Sequence, residues 1–150
     1  MTSRQSRFYD RMRDPASRTA ARAPATAHGF DALRGSKYCL LVSYRRSGEP
    51  VPTPVWFGMD ADGRLYVRTE SDAGKVKRVR ANGRVLVGPA NVRGRPLGPM
   101  AEGTARVLDA AEHPAAERAV QSNNGVGRRL YEAVLGSRGD ANAYLEVTST

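Results

Sequence analysis

The sequence has little of several residue types, and each scarcity narrows the classes of protein to which the chain can belong. Its single cysteine, Cys39, cannot form a disulfide within the chain, so we expect a reducing, cytoplasmic environment. The only two histidines are His28 and His113, and no cluster of His, Cys and Asp has the spacing of a metal site. No apolar run approaches the ~20 residues of a membrane span, and no signal-peptide core is present near the N-terminus. The scarcities therefore argue against a metalloenzyme, a membrane protein and a disulfide scaffold.

Acidic residues are also outnumbered, with 15 Asp and Glu against 24 Lys and Arg, which gives a formal net charge of +9. The densest basic stretch is residues 68–85, "RTESDAGKVKRVRANGRV". It contains no Phe, Tyr or Trp, which single-strand nucleic-acid sites use for base stacking. A nucleic-acid partner is therefore not expected.

The first 28 residues differ in composition from the rest. Met1–His28 is rich in Arg, Ala, Ser and Thr and has almost no aliphatic core residues, so it is predicted to be a disordered basic tail. A transit peptide is the alternative interpretation. The whole chain is 40% hydrophobic, and residues 29–150 are long enough to form one packed domain.

Short strands separated by turn residues dominate residues 29–150. The alternation of residue types predicts strands at Lys37–Tyr44, Val51–Met59, Arg64–Thr69, 84–92, Met100–Asp109 and Asn142–Thr148. Helical spacing predicts helices at Phe30–Ser36, Gly74–Asn82, Glu112–Gln121 and Gly127–Gly136. The pattern predicts a mainly β fold, a small antiparallel barrel with peripheral helices at its rim.

Two prolines mark the second predicted strand. Pro52, Pro54 and Trp56 fall on one face of Val51–Met59. Because proline has no N–H to donate, this strand is predicted to lie at an edge or to contain a bulge.

The helix after the third strand has the features of an anion site. Ser71 or Asp72 is predicted to cap it, and Lys75 lies in its first turn. Free N–H groups at a helix start, with hydroxyls and Lys beside them, bind phosphate groups. The alternative is a solvated amphipathic helix that turns Val76 and Val79 inward, and the pattern alone leaves both interpretations open.

Four segments in succession give the chain a family resemblance: "GEPVPTPVWF", "GRLYVRT", "SDAGKVKRVRANGRV" and "GRPLGPMAEGTARVL". In this order they resemble the pyridoxamine 5′-phosphate oxidase-like split-barrel flavoproteins, and most closely the oxidoreductases that depend on the deazaflavin coenzyme F420. The resemblance runs from Phe30 to Thr148. It implies a homodimer of split β-barrels with a flavin-type cofactor in a groove between the subunits.

The resemblance also implies which residues bind the cofactor. Those expected at its phosphate are Thr69, Ser71, Lys75 and Lys77, with Arg78 beside them. Those expected along its ring, mainly through backbone groups, are Pro54, Val55 and Trp56. By charge alone, a basic rim for the oligoglutamate tail of F420 is assigned to Arg45, Arg46, Arg80 and Arg93.

The expected activity is hydride transfer between F420 and a small organic acceptor. Alternatives are an FMN-dependent oxidase or reductase, and a non-catalytic protein that binds a flavin or haem. No catalytic acid or base is assigned, because the cofactor carries the chemistry of such enzymes. Cys39 lies in an apolar strand and is interpreted as core. Structural roles are preferred for the possible proton donors Tyr38, Tyr44, Tyr66 and Tyr131.

Overall fold

Six antiparallel strands form a closed barrel in a computed structural model, which describes residues 13–123 and 142–150. The strands are β1 (Tyr38–Tyr44), β2 (Pro50–Met59), β3 (Leu65–Glu70), β4 (Arg84–Ala90), β5 (Ala101–Val107) and β6 (Asn142–Ser149). Their order around the barrel is β1-β2-β3-β6-β5-β4, and pairing of β4 with β1 closes it. The predicted mainly β, antiparallel fold class is confirmed.

Three helices accompany the barrel in the described part of the chain: α1 (Ala16–Arg22), α2 (Gly74–Ala81) and α3 (113–123). The helix predicted at Phe30–Ser36 is a single 3-10 turn, Asp31–Leu33, and a second such turn, Ala110–Glu112, precedes α3. The helix predicted at Gly127–Gly136 lies outside the described residues.

Alternation along the strands divides the apolar residues between two faces. The inner face forms the main core, to which Leu41, Phe57, Val67, Val87 and Leu145 contribute. The outer face is covered in two places. Ala21 of α1 packs with a cluster formed by Leu40, Val42, Leu86, Ala90 and Met100, and α3 packs Ala116 and Val120 with Tyr66, Leu108 and Tyr144.

The barrel wall is incompletely paired between β2 and β3. β2 pairs with β1 from Trp56 to Pro50, whereas its pairing with β3 is confined to Phe57, Gly58 and Met59. Residues 50–55 therefore form a strand edge on the β3 side. This bears out the edge predicted from the two prolines, because Pro52 and Pro54 need no hydrogen-bond acceptor there.

The start of α2 differs from the sequence prediction. Its N-cap residue is Ala73, which makes no side-chain capping hydrogen bond, so the predicted cap by Ser71 or Asp72 is wrong. The reason is a tight turn after β3, closed by a 3.0 Å hydrogen bond from the Ala73 N–H to the Glu70 carbonyl. This turn leaves Ser71 and Asp72 exposed at its corner.

A second difference concerns the predicted tail. Within residues 13–28 the chain is not disordered, since Ala16–Arg22 forms α1 and buries Ser17 and Ala21. Asp14 and Pro15 favour this start, because the Asp14 carboxylate accepts a 2.8 Å hydrogen bond from the Ala16 N–H and proline suits the beginning of a helix. Residues 1–12 lie outside the description, and the domain boundary at residue 28 remains a prediction.

Candidate functional site

The helix α2 lies at one end of the barrel, immediately after β3. Val76 and Val79 are buried and anchor it, and its contacts are with β1 and β5. The tight turn from Glu70 to Ala73 places the first turn of the helix beside the end of β3. The basic residues around those two valines are therefore held on a fixed element.

Lys75 reaches back from α2 to β3. Its Nζ donates a 3.1 Å hydrogen bond to Oγ1 of Thr69, and both side chains are partly buried. Thr69 lies on the same inward-facing side of β3 as Leu65 and Val67, because alternate residues of a strand share a face. An ammonium group and a hydroxyl are thus brought together where the barrel wall is open.

Arg78 reaches the interior of the same barrel end. Its Nε donates a 2.7 Å hydrogen bond to Oγ of Ser43, which is fully buried on β1. The other side of its guanidinium lies against Gly74, where an added Cβ would be 2.7 Å from Nη1 of Arg78. Arg78 therefore spans from the barrel interior to the first residue of α2.

Thr53 is a further hydroxyl on the open edge. Its Oγ1 is buried and makes no hydrogen bond within the described part of the chain. Thr53 pairs with Leu41 and Val51 pairs with Ser43, so the two hydroxyl residues are diagonal neighbours on the inner face of β1 and β2. A buried hydroxyl without a partner costs about 1–3 kcal/mol, which suits a place where a polar ligand supplies the missing bond.

The site expected from the sequence is brought together in part. Thr69, Lys75 and Arg78 converge at the start of α2, while Ser71 and Lys77 are exposed beside them. On β2 the Val55 side chain is buried in the barrel core, and the backbone of Val55 pairs with Cys39 of β1. Pro54 and Trp56 are half-buried, and Trp56 packs against the cluster beneath α3.

Three residues at this end were not assigned from the sequence: Ser43, Thr53 and Gly74. Each is an ordinary residue for its element, a hydroxyl in a strand or a glycine near a helix start. The sequence signal for Ser43 and Thr53 was the alternation along their strands, which places both residues on the inward-facing side among apolar residues.

Two of the four tyrosines considered as possible proton donors have structural partners. The Tyr66 hydroxyl lies 3.1 Å from Oδ2 of Asp60 and 3.2 Å from Oε2 of Glu146, and burial with these neighbours raises its pKa to about 12. The Tyr44 ring lies under the Arg84 guanidinium. Tyr38 is half-buried at the start of β1, and Tyr131 lies outside the described residues.

The charged rim assigned from sequence is exposed. Arg45, Arg46, Arg80 and Arg93 all lie at the surface, and Arg45 is 3.9 Å from a Glu49 carboxylate oxygen.

The histidines show no sign of metal binding. His28 is exposed, and the His113 ring packs on Tyr144 at a centroid distance of 4.8 Å. Among the described residues, no group of three or more His, Cys, Asp or Glu is arranged to hold a metal ion. The helices in the described part of the chain are too short or too polar to cross a membrane.

A separate groove lies on the outside of the barrel wall. Its cavity volume is about 820 Å³, and its walls are residues 21–25 and 27–29 on one side and Tyr44, Arg84, Leu86 and Glu102 on the other. Thr69, Lys75 and Arg78 do not line it. The charged residues Arg84 and Glu102 in its wall already pair with each other at 3.3 Å, whereas Lys75 and Arg78 at α2 bond to the hydroxyl groups of Thr69 and Ser43.

Comparison with known proteins identifies the family. The family model described as pyridoxamine 5′-phosphate oxidase matches residues 25–134. This match spans most of the chain, which therefore belongs to the pyridoxamine 5′-phosphate oxidase family, a family that includes oxidoreductases and flavin-binding proteins.

Solved structures share the fold at low sequence identity. An F420 reductase is 17% identical with a TM-score of 0.54, covering 83% of this chain and 96% of its own. The haem storage protein HutZ from Vibrio cholerae is 13% identical with a TM-score of 0.55, covering 76% and 82%. General Stress Protein 26 from Bacillus anthracis is 19% identical with a TM-score of 0.54, covering 79% and 83%. Among curated protein sequences, none matches the chain significantly.

Proposed function

We propose that the chain is an oxidoreductase of the cytoplasm that binds the deazaflavin coenzyme F420 and passes hydride to a small organic acceptor. The observation that carries this proposal is the convergence of Thr69, Lys75 and Arg78 at the end of β3, beside the unpaired edge of β2. Family membership supports it, because the family includes oxidoreductases.

The residues at α2 fit the phosphate of a flavin-type cofactor. Lys75 and Arg78 supply charge, and Thr69 supplies a hydroxyl. The Oγ1 of Thr53, which makes no hydrogen bond within the described residues, agrees with a ligand at this place. Ser71 and Lys77, which are exposed next to the site, would contact the same phosphate from its solvent side.

The edge of β2 fits the cofactor ring. Pro54 lies outside the pairing of β2 with β3, which is confined to Phe57, Gly58 and Met59, so its carbonyl group is available to a ligand. When bound, the deazaflavin supplies a carbon that carries and transfers hydride. The chain's own contribution is to bind, orient and shield it, which is why we assign no catalytic acid or base.

The choice of F420 over FMN rests on charge. Both cofactors carry a ribityl phosphate, so the residues at α2 fit either. F420 has in addition an acidic oligoglutamate tail, which suits the exposed Arg45, Arg46, Arg80 and Arg93. An FMN-dependent oxidase or reductase is the alternative function.

We also propose that the chain forms a homodimer. Among the described residues, the two large hydrophobic side chains most exposed to solvent are Val92 and Leu97, at 61% and 62%, both in the loop between β4 and β5. A second subunit would cover this loop and the open edge of β2. Light scattering should give about twice the chain mass of 16.3 kDa. A monomer mass at micromolar concentration would contradict the proposal.

One titration tests the cofactor assignment. Trp56 is the sole tryptophan, so its fluorescence reports on the open edge of β2. Purified protein is titrated with F420, with FMN and with haem, and the reduced complex is then mixed with quinones, enones and biliverdin-like tetrapyrroles. Tight binding of F420 with turnover supports the proposal. Binding of FMN alone favours the alternative, and binding of any of the three without turnover favours a carrier or storage protein.

A further inference from the structure

Ser43 is the buried end of a connection between the barrel interior and the start of α2. Its side chain is fully buried, and its Oγ accepts the 2.7 Å hydrogen bond from Nε of Arg78. A contact through Nε restricts the plane of the guanidinium, and Nη1 lies on the side of Gly74. The barrel interior thus determines where the charge of Arg78 is placed.

That charge is placed against Gly74. A Cβ at Gly74 would lie 2.7 Å from Nη1 and 3.8 Å from Nη2 of Arg78, so both terminal nitrogens lie close to the helix start. Lys75 also turns back, with its Nζ on Thr69. Two cations are therefore held at the end of α2 where the helix dipole is already positive, an arrangement that an anion between them would stabilise.

We infer that Ser43 is a positioning residue for a phosphate monoester, acting through Arg78. This rests on the cofactor site proposed above and goes beyond it, because it gives a binding role to a hydroxyl inside the barrel and a spatial role to Gly74. Two cations and a hydroxyl match the charge of nearly −2 and the three oxygens of a phosphate monoester.

The test compares FMN with riboflavin, which differ by the phosphate alone. Ser43→Ala should weaken FMN binding by about fivefold to tenfold, since a charge-assisted contact is loosened but not removed. Riboflavin affinity should not change. Ser47→Ala is the matched control, because Ser47 is an exposed hydroxyl in the turn after β1 that accepts only a local hydrogen bond from the Glu49 N–H. It should leave both affinities as they are.

A double-mutant cycle distinguishes positioning from a direct contact. If Ser43 acts through Arg78, then Ser43→Ala has no further effect on FMN affinity in an Arg78→Ala background. Additive losses would overturn the inference, as would equal losses for FMN and riboflavin, which would indicate a general structural role.

A second variant displaces Arg78 at its contact with Gly74 instead of at Ser43, and it is used if Ser43→Ala does not fold. Gly74→Ala places a methyl group where Nη1 of Arg78 lies and leaves the core unchanged. It should give the same loss for FMN, again without a change for riboflavin. Wild-type affinity for FMN in this variant would contradict the placement of Arg78.

Failure of the proposed cofactor binding can be distinguished from failure of the role inferred for Ser43. If the parent protein binds no flavin and no F420, thermal melts in inorganic phosphate decide the question for Ser43. Stabilisation of the parent that is lost in Ser43→Ala would support the inference, and absence of stabilisation in the parent would overturn it.

Discussion

Cys39 is fully buried on β1, and burial raises the pKa of its thiol to about 12. Since the thiolate is the reactive form, neither solvent access nor ionisation favours modification in the native state. We predict that a disulfide reagent such as DTNB leaves the native protein nearly unlabelled at pH 8 and labels one thiol per chain in urea. Rapid labelling without denaturant would contradict the packing around β1.

Lys75 and Lys77 lie two residues apart on α2 but in different surroundings. Lys75 bonds to Thr69, whereas Lys77 is exposed. Lys75→Ala should weaken binding of F420 or FMN by about 1–3 kcal/mol, the scale of a charge-assisted hydrogen bond. Lys77→Ala removes the same charge from the same helix, so it serves as the control and should have a smaller effect. Equal effects, measured by Trp56 fluorescence, would assign the loss to net charge rather than to the site.

At the scale of elements, Gly58 determines how closely α3 approaches the barrel. A Cβ at Gly58 would lie 1.8 Å from the backbone oxygen of Ala119, so any side chain there forces the helix away from β2. Gly58→Ala should lower the free energy of unfolding by about 3 kcal/mol, the upper range for overpacking. Urea denaturation measures this.

Gly74→Ala is the matched control for that experiment. The added methyl meets the flexible end of Arg78 rather than a backbone, and alanine favours a helix by about 1 kcal/mol over glycine. Its unfolding free energy should therefore fall by much less than that of Gly58→Ala. A loss as large as that of Gly58→Ala would show that backbone contact is not the cause.

An ionic network joins the hairpin β2–β3 to β5, β6 and the start of α3. Arg106 bonds to Glu112 at 2.7 Å and to Glu146 at 3.0 Å. The side chain of Arg106 holds the pKa of Glu112 below its usual value. Burial alone would raise the pKa of Asp60, but hydrogen bonds from Arg64 and Tyr66 outweigh it and lower that pKa.

The sign of the pH effect follows from these lowered pKa values. The unfolded chain takes up protons first, so the stabilisation is complete above about pH 4, the usual range of these carboxyl groups, and is lost as pH falls through the lower folded values. We predict a fall in urea midpoint below about pH 4 that is smaller in Arg106→Gln. Arg84→Gln, which breaks an exposed pair with Glu102 and a contact with the Tyr44 ring, touches neither Glu112 nor Asp60, so it is the control and should keep the parent slope.

At the scale of the whole molecule, α1 connects the N-terminal segment to the barrel. Ala21 packs with Leu40, Val42 and Leu86, so deleting residues 1–28 should expose this cluster. We predict a loss of about 2–4 kcal/mol in unfolding free energy, the burial of one or two aliphatic side chains. Deletion of residues 1–12 alone is the control and should cost much less. Equal stability of the two truncations would restore the view that the whole segment is a dispensable tail.

Much of the fold was predictable because its signals are local. Alternating residues and turn chemistry located the six strands to within two residues or so at each end, and Pro52 and Pro54 indicated the free edge of β2. The helix α1 was missed because its alanines and Ser17 have no apolar stripe, and it depends on contacts with the barrel instead.

The candidate site was less predictable because it is made by contacts between distant residues. Lys75 and Arg78 lie in the basic segment 68–85, and the family resemblance assigned them to the cofactor phosphate. Ser43 lies 35 positions from Arg78, and although its inward-facing position in β1 is visible in the sequence, nothing there pairs it with Arg78. The Ser71 cap failed for a related reason, since the turn geometry of Glu70–Ala73 is set by how β3 meets α2.

The position of β6 has a consequence for how the chain folds. Val147 pairs with Leu65 on one side and with Ala105 on the other, so the last strand in the sequence is the one that joins β3 to β5. Until it inserts, both neighbours have unsatisfied edges that other chains can pair with. Such distant contacts form slowly, and ring closure is therefore expected to be a late step in folding. During synthesis on the ribosome, the nascent chain would remain an open, aggregation-prone sheet until residues 142–149 have emerged.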